Sequence, residues 1–415
     1  MTGAATLTPG ALAHVKVLDL SRVLAGPWAA QILGDLGAEV IKVERPHTGD
    51  DTRAWGPPFV QDAKGQSTGE SAYYMCTNRN KRSVVVDFTQ AEGARLLQAL
   101  AQQCDVVVEN FKTGGLQAYG LDYPTLQVLN PRLIYCSITG FGQDGPYAQR
   151  AGYDFLIQGM GGLMSVSGHA SGDDGGGPMK VGVALTDILT GLYASNAILA
   201  ALQARERTGL GQHIDLALLD VGVACLANQA MNYLYSGNVP QRMGNSHPNT
   251  VPYQDFPTAD GHMILAIGND GQFQRFCHAV DRAQWASDAR FLTNAARLEH
   301  RKVLVAQIAA LTVLRTTKEW VELLEQHAVP CGPINTIADV FADPQVQHRG
   351  LQLQMLHPQA GVVPLVASPM RLSGTPVQYR YAPPQLGQHT SEVLQEELGL
   401  LPRQIELLKE QGVVQ

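Results

Sequence analysis

The sequence lacks the cysteine patterns of a disulfide framework or a zinc site. It has no C-x-x-C pair and no Cys/His pair at zinc-ligand spacing. The six cysteines are scattered along the 415 residues: Cys76, Cys104, Cys136, Cys225, Cys277 and Cys331. We therefore expect reduced thiols, a cytoplasmic protein and no metal site.

Long apolar runs and an export signal are missing as well. The first fourteen residues, MTGAATLTPGALAH, have no basic start followed by an apolar core. No uninterrupted apolar stretch approaches the roughly 18 residues that a membrane span needs. We therefore expect a protein that is not exported and not associated with a membrane.

Positive charge is not in excess, because 30 Lys and Arg face 37 Asp and Glu, for a net charge of −7. Nucleic-acid affinity is built largely from Lys and Arg that neutralise phosphates, so nucleic acid is not an expected partner. Any anionic ligand must then be met by a local group of cations.

The familiar motifs of nucleotide binding and hydrolysis are absent. SRVLAGP (residues 21–27) follows the first predicted strand and lacks the glycines of G-x-G-x-x-G. The motifs G-x-x-x-x-G-K-[ST], G-x-S-x-G and H-E-x-x-H do not occur either. Their absence weakens an assignment as a dehydrogenase, an NTPase or an α/β-hydrolase.

What the sequence does contain, from Val15 onward, is an alternation of β-branched runs and helical patterns. VKVLDLS, EVIKVERP, RSVVVDF, DVVVEN and RLIYCSITGFG predict strands, and AAQILGDLGA and EGARLLQALAQQ predict helices between them. This order predicts βαβ units and a largely parallel sheet, whose ligands bind beyond the carboxyl ends of the strands.

The second half of the chain contains a long apolar helix and a second unit. The stretch from Leu185, LTDILTGLYASNAILAALQARER, is apolar on nearly every face, which predicts a buried or interfacial helix that ends at the Gly209 turn. Residues 244–257 are rich in Pro, Asn and Gly and predict a linker into a unit of about ninety residues. SEVLQEELGLLPRQIELLKEQGVV predicts two short amphipathic helices near the end.

Basic residues gather near the ends of the predicted strands: Lys42, Arg45, Lys81, Arg82 and Lys112. Several cations from different strand ends could converge on the phosphates of a nucleotide-like ligand. The alternative is that they are solvated charges that flank the strands. The spacing alone favours this alternative.

Three further residues are candidates for chemistry. Asp187 lies in VGVALTDIL at the predicted start of a helix, where a partly desolvated carboxylate can act as a nucleophile or simply complement the helix dipole. Asp154 in AGYD is first of all a turn or helix-start residue. His247 in NSHPN is either a substrate contact or an incidental loop histidine.

Taken in order, these segments resemble the class III CoA-transferase family (CaiB/BaiF type), which also includes α-methylacyl-CoA racemases. The matching motifs are LDLSRVLAGP, LGDLGAEVIKVERP, NRNKRSVVVD, DVVVENF, YCSITGFGQDGP, AGYD, the Asp187 segment and TGLGQHIDLALLD. They occur in the family's order from Val15 to the end of the chain. The resemblance favours a catalytic role for Asp187 and a ligand role for the basic residues.

The resemblance implies covalent catalysis by Asp187. Its carboxylate would attack the donor thioester, form a mixed anhydride and then an aspartyl-CoA thioester, which the acceptor carboxylate resolves. Coenzyme A would be a substrate carrier, with no tightly bound cofactor. The residues implied in CoA binding are Val23, Leu24, Arg45, Val86, Thr89, Asn110, Phe111, Lys112, Tyr153 and Asp154.

The chain departs from the family pattern at two positions. Many relatives carry an arginine where this chain has Ala118, which makes Lys112 the candidate for the phosphate contacts. Racemases have a histidine where this chain has Tyr153. Since a tyrosine with a pKa of ~10 is a poor acid or base near neutrality, the residue favours transfer over racemisation.

The details SRVLAGP, DDTRAWGPPF, VPYQDF, FADPQV and LGQHT are most similar to the succinyl-CoA-dependent dicarboxylate branch of the family. They imply succinyl-CoA as donor and a short dicarboxylate, such as glutarate or hydroxymethylglutarate, as acceptor. Arg22 would bind the remote carboxylate, and His247 is a second candidate for substrate contact. A racemase-type isomerase and a CoA-binding protein without turnover are the alternatives.

The resemblance also implies an α/β architecture. A Rossmann-like parallel-sheet large domain would span 1–220, a helical linker 221–244 and a small α/β domain 245–335. Residues 336–415 would return to the large domain as a linker and C-terminal helices. Two chains would form an interlocked-ring homodimer, which the long apolar helix suits.

Overall fold

The structure, a computed structural model, describes residues 9–415. The strands in this range are β1 (Lys16–Asp19), β2 (Glu39–Glu44), β3 (Phe59–Gln61), β4 (Ser67–Ser71), β5 (Lys81–Val85), β6 (Val106–Glu109), β7 (Ile134–Thr139), β8 (His213–Ala217), β9 (Tyr253–Pro257), β10 (His262–Ala266), β11 (Cys331–Pro333), β12 (Gln352–His357) and β13 (Gly361–Val366).

The same range contains α-helices and two short 3₁₀ helices, the latter at Asp51–Ala54 and Gln117–Tyr119. The α-helices are α1 (Ala25–Asp35), α2 (Ala72–Met75), α3 (Ala91–Gln103), α4 (Tyr123–Leu129), α5 (Asp154–Met160), α6 (Leu163–Val166), α7 (Leu185–Thr208), α8 (Leu218–Ala224), α9 (Ala227–Ser236), α10 (Asp270–Ala279), α11 (Ala283–Ser287), α12 (Asn294–Glu299), α13 (Arg301–Thr312), α14 (Thr317–Gln326), α15 (Ile337–Ala342), α16 (Pro344–His348), α17 (Thr390–Leu398) and α18 (Pro402–Glu410).

A six-stranded parallel sheet carries the fold, in the order β5-β2-β1-β6-β7-β8. Counted along the chain within this sheet, the order is 3-2-1-4-5-6, which is that of a Rossmann-like sheet. The predicted α/β fold with a parallel sheet is thus confirmed. The order reverses between β1 and β6, and such a switch point opens a crevice at the carboxyl ends of the strands.

Both faces of this sheet are covered, as continuous β-branched strands require. On one face Leu18 and Val107 pack with α3 and with C-terminal residues such as Leu394 and Leu408. On the other face Val17 and Val106 pack with residues of α1 and α7. The two predicted C-terminal helices, α17 and α18, therefore complete one of the two core layers.

Helix α7 is the predicted apolar helix. It ends where Gly209 adopts a left-handed backbone (φ 74°), as the turn signal indicates. It is long and apolar enough, by length and composition, to cross a membrane. One side packs closely on α1, because a Cβ added to Gly191 would lie 2.7 Å from the carbonyl oxygen of Ala25.

The chain divides into two compact units. The first comprises residues up to 163, 181–230 and 345–415, and the second comprises 164–180 and 231–344. The second unit contains the antiparallel sheet β11-β10-β9 and a core with α10, α13 and α14.

The second unit extends beyond 245–335 at both ends, and residues 164–180 join it. The Ser171 amide donates to the Arg242 carbonyl oxygen (2.9 Å) and the Arg242 guanidinium to that of His169 (3.2 Å). These contacts link segments about seventy residues apart, which local sequence patterns do not reveal.

Candidate active site

The loop between β1 and α1 lies at the switch point of the sheet, and two side chains hold it. The side-chain amide of Asn110 accepts a hydrogen bond from the backbone N–H of Arg22 (2.9 Å) and donates one to the backbone carbonyl oxygen of Arg22 (2.6 Å). The Val23 amide donates to Asp50 (3.2 Å). Val23 has a φ of 71°, which is rare for a β-branched residue and persists only where its surroundings enforce it.

A cavity of about 230 Å³ opens beside this loop, at the ends of β1, β2 and β5. It is lined by six of the residues singled out in the sequence, namely Arg22, Lys42, Arg45, Val86, Thr89 and Phe111. Its aromatic wall is formed by Phe88, whose ring meets those of Phe111 (5.7 Å) and Tyr119 (5.3 Å) edge to face. An apolar wall with two arginines can accept a ligand that is both aromatic and anionic.

Arg22 and Arg45, the two arginines at this cavity, both form an ion pair with Asp51. Asp51 pairs with Arg22 at 3.2 Å and with Arg45 at 2.5 Å, and both guanidinium groups are about half exposed. Exposed pairs of this kind contribute at most about 1 kcal/mol to stability. An incoming phosphate or carboxylate can therefore compete with Asp51 for either arginine.

Three other predicted cations are buried in ion pairs, although one of them, Lys42, also lines this cavity. Lys42 is buried against Asp50 (2.9 Å) and Lys81 is buried against Asp19 (2.9 Å). Arg82 is buried as well and pairs with Glu39, Glu392, Glu396 and Glu397. The expectation of solvated charges is wrong for these three residues, because acidic side chains pair with them in the interior. Asp50 lies eight residues from Lys42, whereas the partners of Lys81 and Arg82 lie 43 or more residues away.

Lys112 lines a second cavity, and Ala118 is exposed. This cavity, of about 220 Å³, lies among Glu109, Ser137, His213 and the start of α4. The structure therefore does not bring Lys112 to the first cavity, where it would replace a phosphate-binding arginine.

Asp187 lies in the first turn of α7 and is partly buried. Burial raises the pKa of its carboxyl group to about 7, and the nearby charge of Asp154 adds to the effect. Within residues 9–415 no side-chain hydrogen bond to this carboxyl group is seen. A carboxylate without donors keeps its lone pairs available for nucleophilic attack once it is ionised.

Asp154 fixes the start of α7 from outside the helix. Its carboxylate accepts from the Thr186 amide (2.8 Å) and, more weakly, from the Asp187 amide (3.4 Å). It also accepts from the Gln158 side chain (2.7 Å). It therefore supplies acceptors for N–H groups that have no partner inside α7.

The AGYD segment is placed by a close backbone contact. A Cβ added to Gly152 would lie 2.4 Å from the Cα of Gly140, so the two glycines bring this segment against the end of β7. Tyr153 precedes α5 and is 64% exposed. The sequence thus placed Asp154 at a helix start correctly, whereas its bond to α7 depends on the tertiary structure.

His247 belongs to the second unit. Its Nδ1 atom accepts from the Asn249 amide (3.1 Å), and its ring lies 5.2 Å from that of Tyr253. Arg301 donates to the carbonyl oxygens of His247 (2.7 Å) and Pro248 (3.2 Å). The loop around His247 is therefore ordered by its own unit.

Sequence reasoning missed Tyr73, in the short helix α2. Burial, followed by the charge of Asp187, raises the pKa of its hydroxyl to about 12, so it stays a neutral donor near Asp187. The edge of its ring meets Trp55 at 5.2 Å. No local signal marks this tyrosine, since α2 spans only four residues.

No group of three or more His, Cys, Asp or Glu in residues 9–415 is arranged to hold a metal ion.

Comparison with known proteins places this chain in one family. The family described as CoA-transferase family III matches residues 12–390. The chain is 54% identical to a succinate–glutarate CoA-transferase of Agrobacterium fabrum, over 93% of this chain and 95% of that protein. It is 45% identical to the human succinyl-CoA:glutarate CoA-transferase, over 97% and 90% of the two chains.

A solved structure is similar over nearly the whole fold. It is a CaiB/BaiF family protein of Brucella suis, with 49% identity, a TM-score of 0.80 and coverage of 92% of this chain and 98% of that one. The chain belongs to CoA-transferase family III. It is a CoA-transferase that uses coenzyme A as a substrate carrier, and the racemase alternative is not favoured.

Proposed function

We propose that this enzyme transfers CoA from succinyl-CoA to glutarate or a closely related short dicarboxylate, with Asp187 as the nucleophile. The observation that carries the chemistry is a partly buried carboxyl group at the start of α7, with a pKa raised to about 7 and no side-chain partner within residues 9–415. Similarity to the succinate–glutarate CoA-transferase over 93% of the chain supports the choice of substrates.

The reaction proceeds through two acyl intermediates on Asp187. The carboxylate attacks the succinyl thioester carbon, the C–S bond breaks, and a mixed anhydride and CoA thiolate result. The thiolate then attacks the aspartyl carbonyl carbon, which releases succinate and leaves an aspartyl-CoA thioester. Glutarate attacks this thioester to form a second anhydride, and the released thiolate attacks the glutaryl carbonyl, which yields glutaryl-CoA and free Asp187.

We assign CoA to the first cavity and the dicarboxylate's remote carboxylate to Arg22. Arg45, Val86, Thr89 and Phe111 line that cavity and supply a cation and apolar surface for the nucleotide end of CoA. Arg22 lines the same cavity beside the strained Val23. Arg45→Ala should weaken CoA binding for every substrate pair, whereas Arg22→Ala should lower the preference for dicarboxylates over monocarboxylates.

Label exchange is the direct test of this function. Purified enzyme with succinyl-CoA and labelled glutarate should form labelled glutaryl-CoA, and hydroxylamine added during turnover should trap Asp187 as a hydroxamate. Asp187→Asn is the matched control. An enzyme that exchanges label with a panel of other acids but not with glutarate refutes the substrate, and a fully active Asp187→Asn protein refutes the mechanism.

We also propose a homodimer in the cytoplasm. Helix α7 exposes Leu192 (41%) and Tyr193 (48%) within its unit, an apolar surface of the kind that subunit interfaces cover. Light scattering should give twice the chain mass of 44.7 kDa, and a monomer at micromolar concentration would contradict the proposal. Fractionation of cells should place the protein with the cytoplasmic enzymes.

A further inference from the structure

The second cavity contains a chain of hydrogen-bonding groups that the proposed reaction does not use. The His213 Nε2 atom lies 2.9 Å from the Ser137 hydroxyl oxygen. Ser137 is the register partner of Glu109 on the neighbouring strand, and its side chain lowers the pKa of the Glu109 carboxyl group. His213 is exposed whereas Glu109 is 6% exposed, so the chain runs from solvent to a buried carboxyl group.

The sheet register places these groups together. Glu109 is the last residue of β6 and pairs with Ser137 on β7, and Ser137 pairs with Asp215 on β8. Tyr123, at the start of α4, stacks its ring on that of His213 at 5.1 Å. The arrangement is thus built by three adjacent strands and a helix.

The other end of this chain reaches the first cavity. The Phe111 amide donates to the Glu109 carboxylate (2.8 Å), which fixes the turn that follows β6. In that turn Asn110 holds the backbone of Arg22, and Phe111 lines the first cavity. A change at Glu109 therefore acts on both residues through a single turn.

We propose that Glu109 is a positioning residue for CoA binding: its ionised carboxylate holds the Asn110–Phe111 turn in the conformation that forms the first cavity, and Ser137 and His213 connect that carboxylate to solvent. The proposal rests on the proposed function only in assigning CoA to the first cavity.

The groups around Glu109 determine the pH range in which its carboxyl group ionises. Burial raises the pKa of its carboxyl group to about 7, Ser137 and the Phe111 amide lower it, and Asp215 raises it. Tyr135 and Cys136 on β7 remain neutral, since burial raises the pKa of both. Exposed Lys112 and His213 also face this cavity, and burial lowers the pKa of His213.

An ionised carboxylate accepts a stronger hydrogen bond from the Phe111 backbone N–H than a neutral carboxyl group does. CoA should therefore bind more tightly as the pH rises through about 7. A purely structural Glu109 would produce no such step, which makes the pH profile the decisive readout.

The test measures the dissociation constant of free CoA by calorimetry between pH ~6 and ~8.5. Glu109→Gln keeps the size and the acceptor but not the charge, and should weaken binding about five- to tenfold at pH ~8. The difference from wild type should vanish near pH ~6, and kcat at saturating acyl-CoA should change less than about twofold. Titration of the CoA phosphates affects both proteins equally.

Ser137→Ala is the second variant, and Asp122→Asn the control. Ser137→Ala removes the hydroxyl group that lowers the Glu109 pKa, so the step in CoA affinity should move to higher pH. Asp122 lines the same cavity, but within residues 9–415 its carboxylate accepts a hydrogen bond only from Thr125, so its amide variant should follow wild type. Melting temperatures verify that each variant is folded.

Three results would overturn the proposal: Glu109→Gln binding CoA like wild type at every pH, Ser137→Ala titrating like wild type, or Asp122→Asn reproducing the loss. Because CoA binding is measured without an acceptor acid, wild-type protein that binds CoA but does not transfer it to glutarate would refute the proposed function alone. Such an outcome leaves the Glu109 result intact.

Discussion

At the scale of single residues, the burial that makes the Asp187 carboxylate reactive also lowers the stability of the folded protein when this group is ionised. Its pKa in the folded protein is about 7, above the ~3.9 of an unfolded chain. The folded state therefore binds more protons between these values, and the stability that this group contributes at low pH is lost as the pH rises from about 4 to about 7. Such conflicts between stability and activity are common at active sites.

Asp187→Asn tests both sides of this conflict. CoA transfer should fall by a factor of about 10³ or more, because the amide is not a nucleophile. The free energy of unfolding at pH ~8 should rise by about 1–3 kcal/mol, because no buried charge forms. Urea titrations at pH ~8 and at pH ~4 measure the second effect. A variant no more stable than wild type at the higher pH would contradict the raised pKa.

Asp154 is expected to set the pH at which Asp187 becomes reactive. Asp154→Asn keeps an acceptor for the Thr186 amide but removes the charge that helps to raise the Asp187 pKa. The single-turnover rate at saturating succinyl-CoA should rise through a midpoint near pH ~7 in wild type and at a lower pH in the variant. An unchanged midpoint would show that burial alone sets this pKa.

At the scale of elements, the contact between α1 and α7 positions Asp187 relative to the first loop. A Cβ at Gly191 would meet the Ala25 carbonyl oxygen at 2.7 Å and the Trp28 side chain at 3.0 Å. Gly191→Ala should therefore push the helices apart and lower the free energy of unfolding by about 1–3 kcal/mol.

Gly222→Ala is the matched control for Gly191→Ala. Gly222 lies inside α8, and its added Cβ would meet only the side chains of Ile157 (3.4 Å) and Thr186 (3.8 Å). The change should be neutral or stabilise the protein by up to about 1 kcal/mol. Thermal denaturation of both variants checks the prediction, which fails if the two glycines behave alike.

Variants of Lys81 and Arg45 distinguish a cation with a structural role from one that binds ligand. Lys81→Met leaves the Asp19 carboxylate buried without its partner and should cost about 3–5 kcal/mol of stability. Arg45→Ala, at an exposed pair, should change stability by less than about 1 kcal/mol and weaken CoA binding instead. Denaturant titration measures the stability of both variants, and calorimetry measures their affinity for CoA. If Lys81→Met lost CoA affinity without losing stability, Lys81 would be a ligand-binding residue and not a structural one.

At the scale of the whole molecule, CoA should stabilise the protein through its first unit. The residues proposed to bind CoA all belong to that unit. Free CoA at about 100 times its dissociation constant should add about 2.7 kcal/mol to the unit's free energy of unfolding. Calorimetric scans with and without CoA would show the shift, and an identical scan would contradict binding to the native fold.

Ordered motifs in the sequence were sufficient to predict the family, and local patterns were sufficient to predict the parallel α/β fold, the long apolar helix and the position of Asp187 at its start. Periodicity and turn residues act within a few residues, so a linear pattern contains that information. Local patterns did not predict the internal ion pairs of Lys42, Lys81 and Arg82. Nor did they predict that Asp154 caps α7 or that Glu109 supports the Asn110–Phe111 turn. The physical reason is that burial and pairing depend on groups brought together from distant parts of the chain, and these set the charge and hydrogen bonds of each side chain.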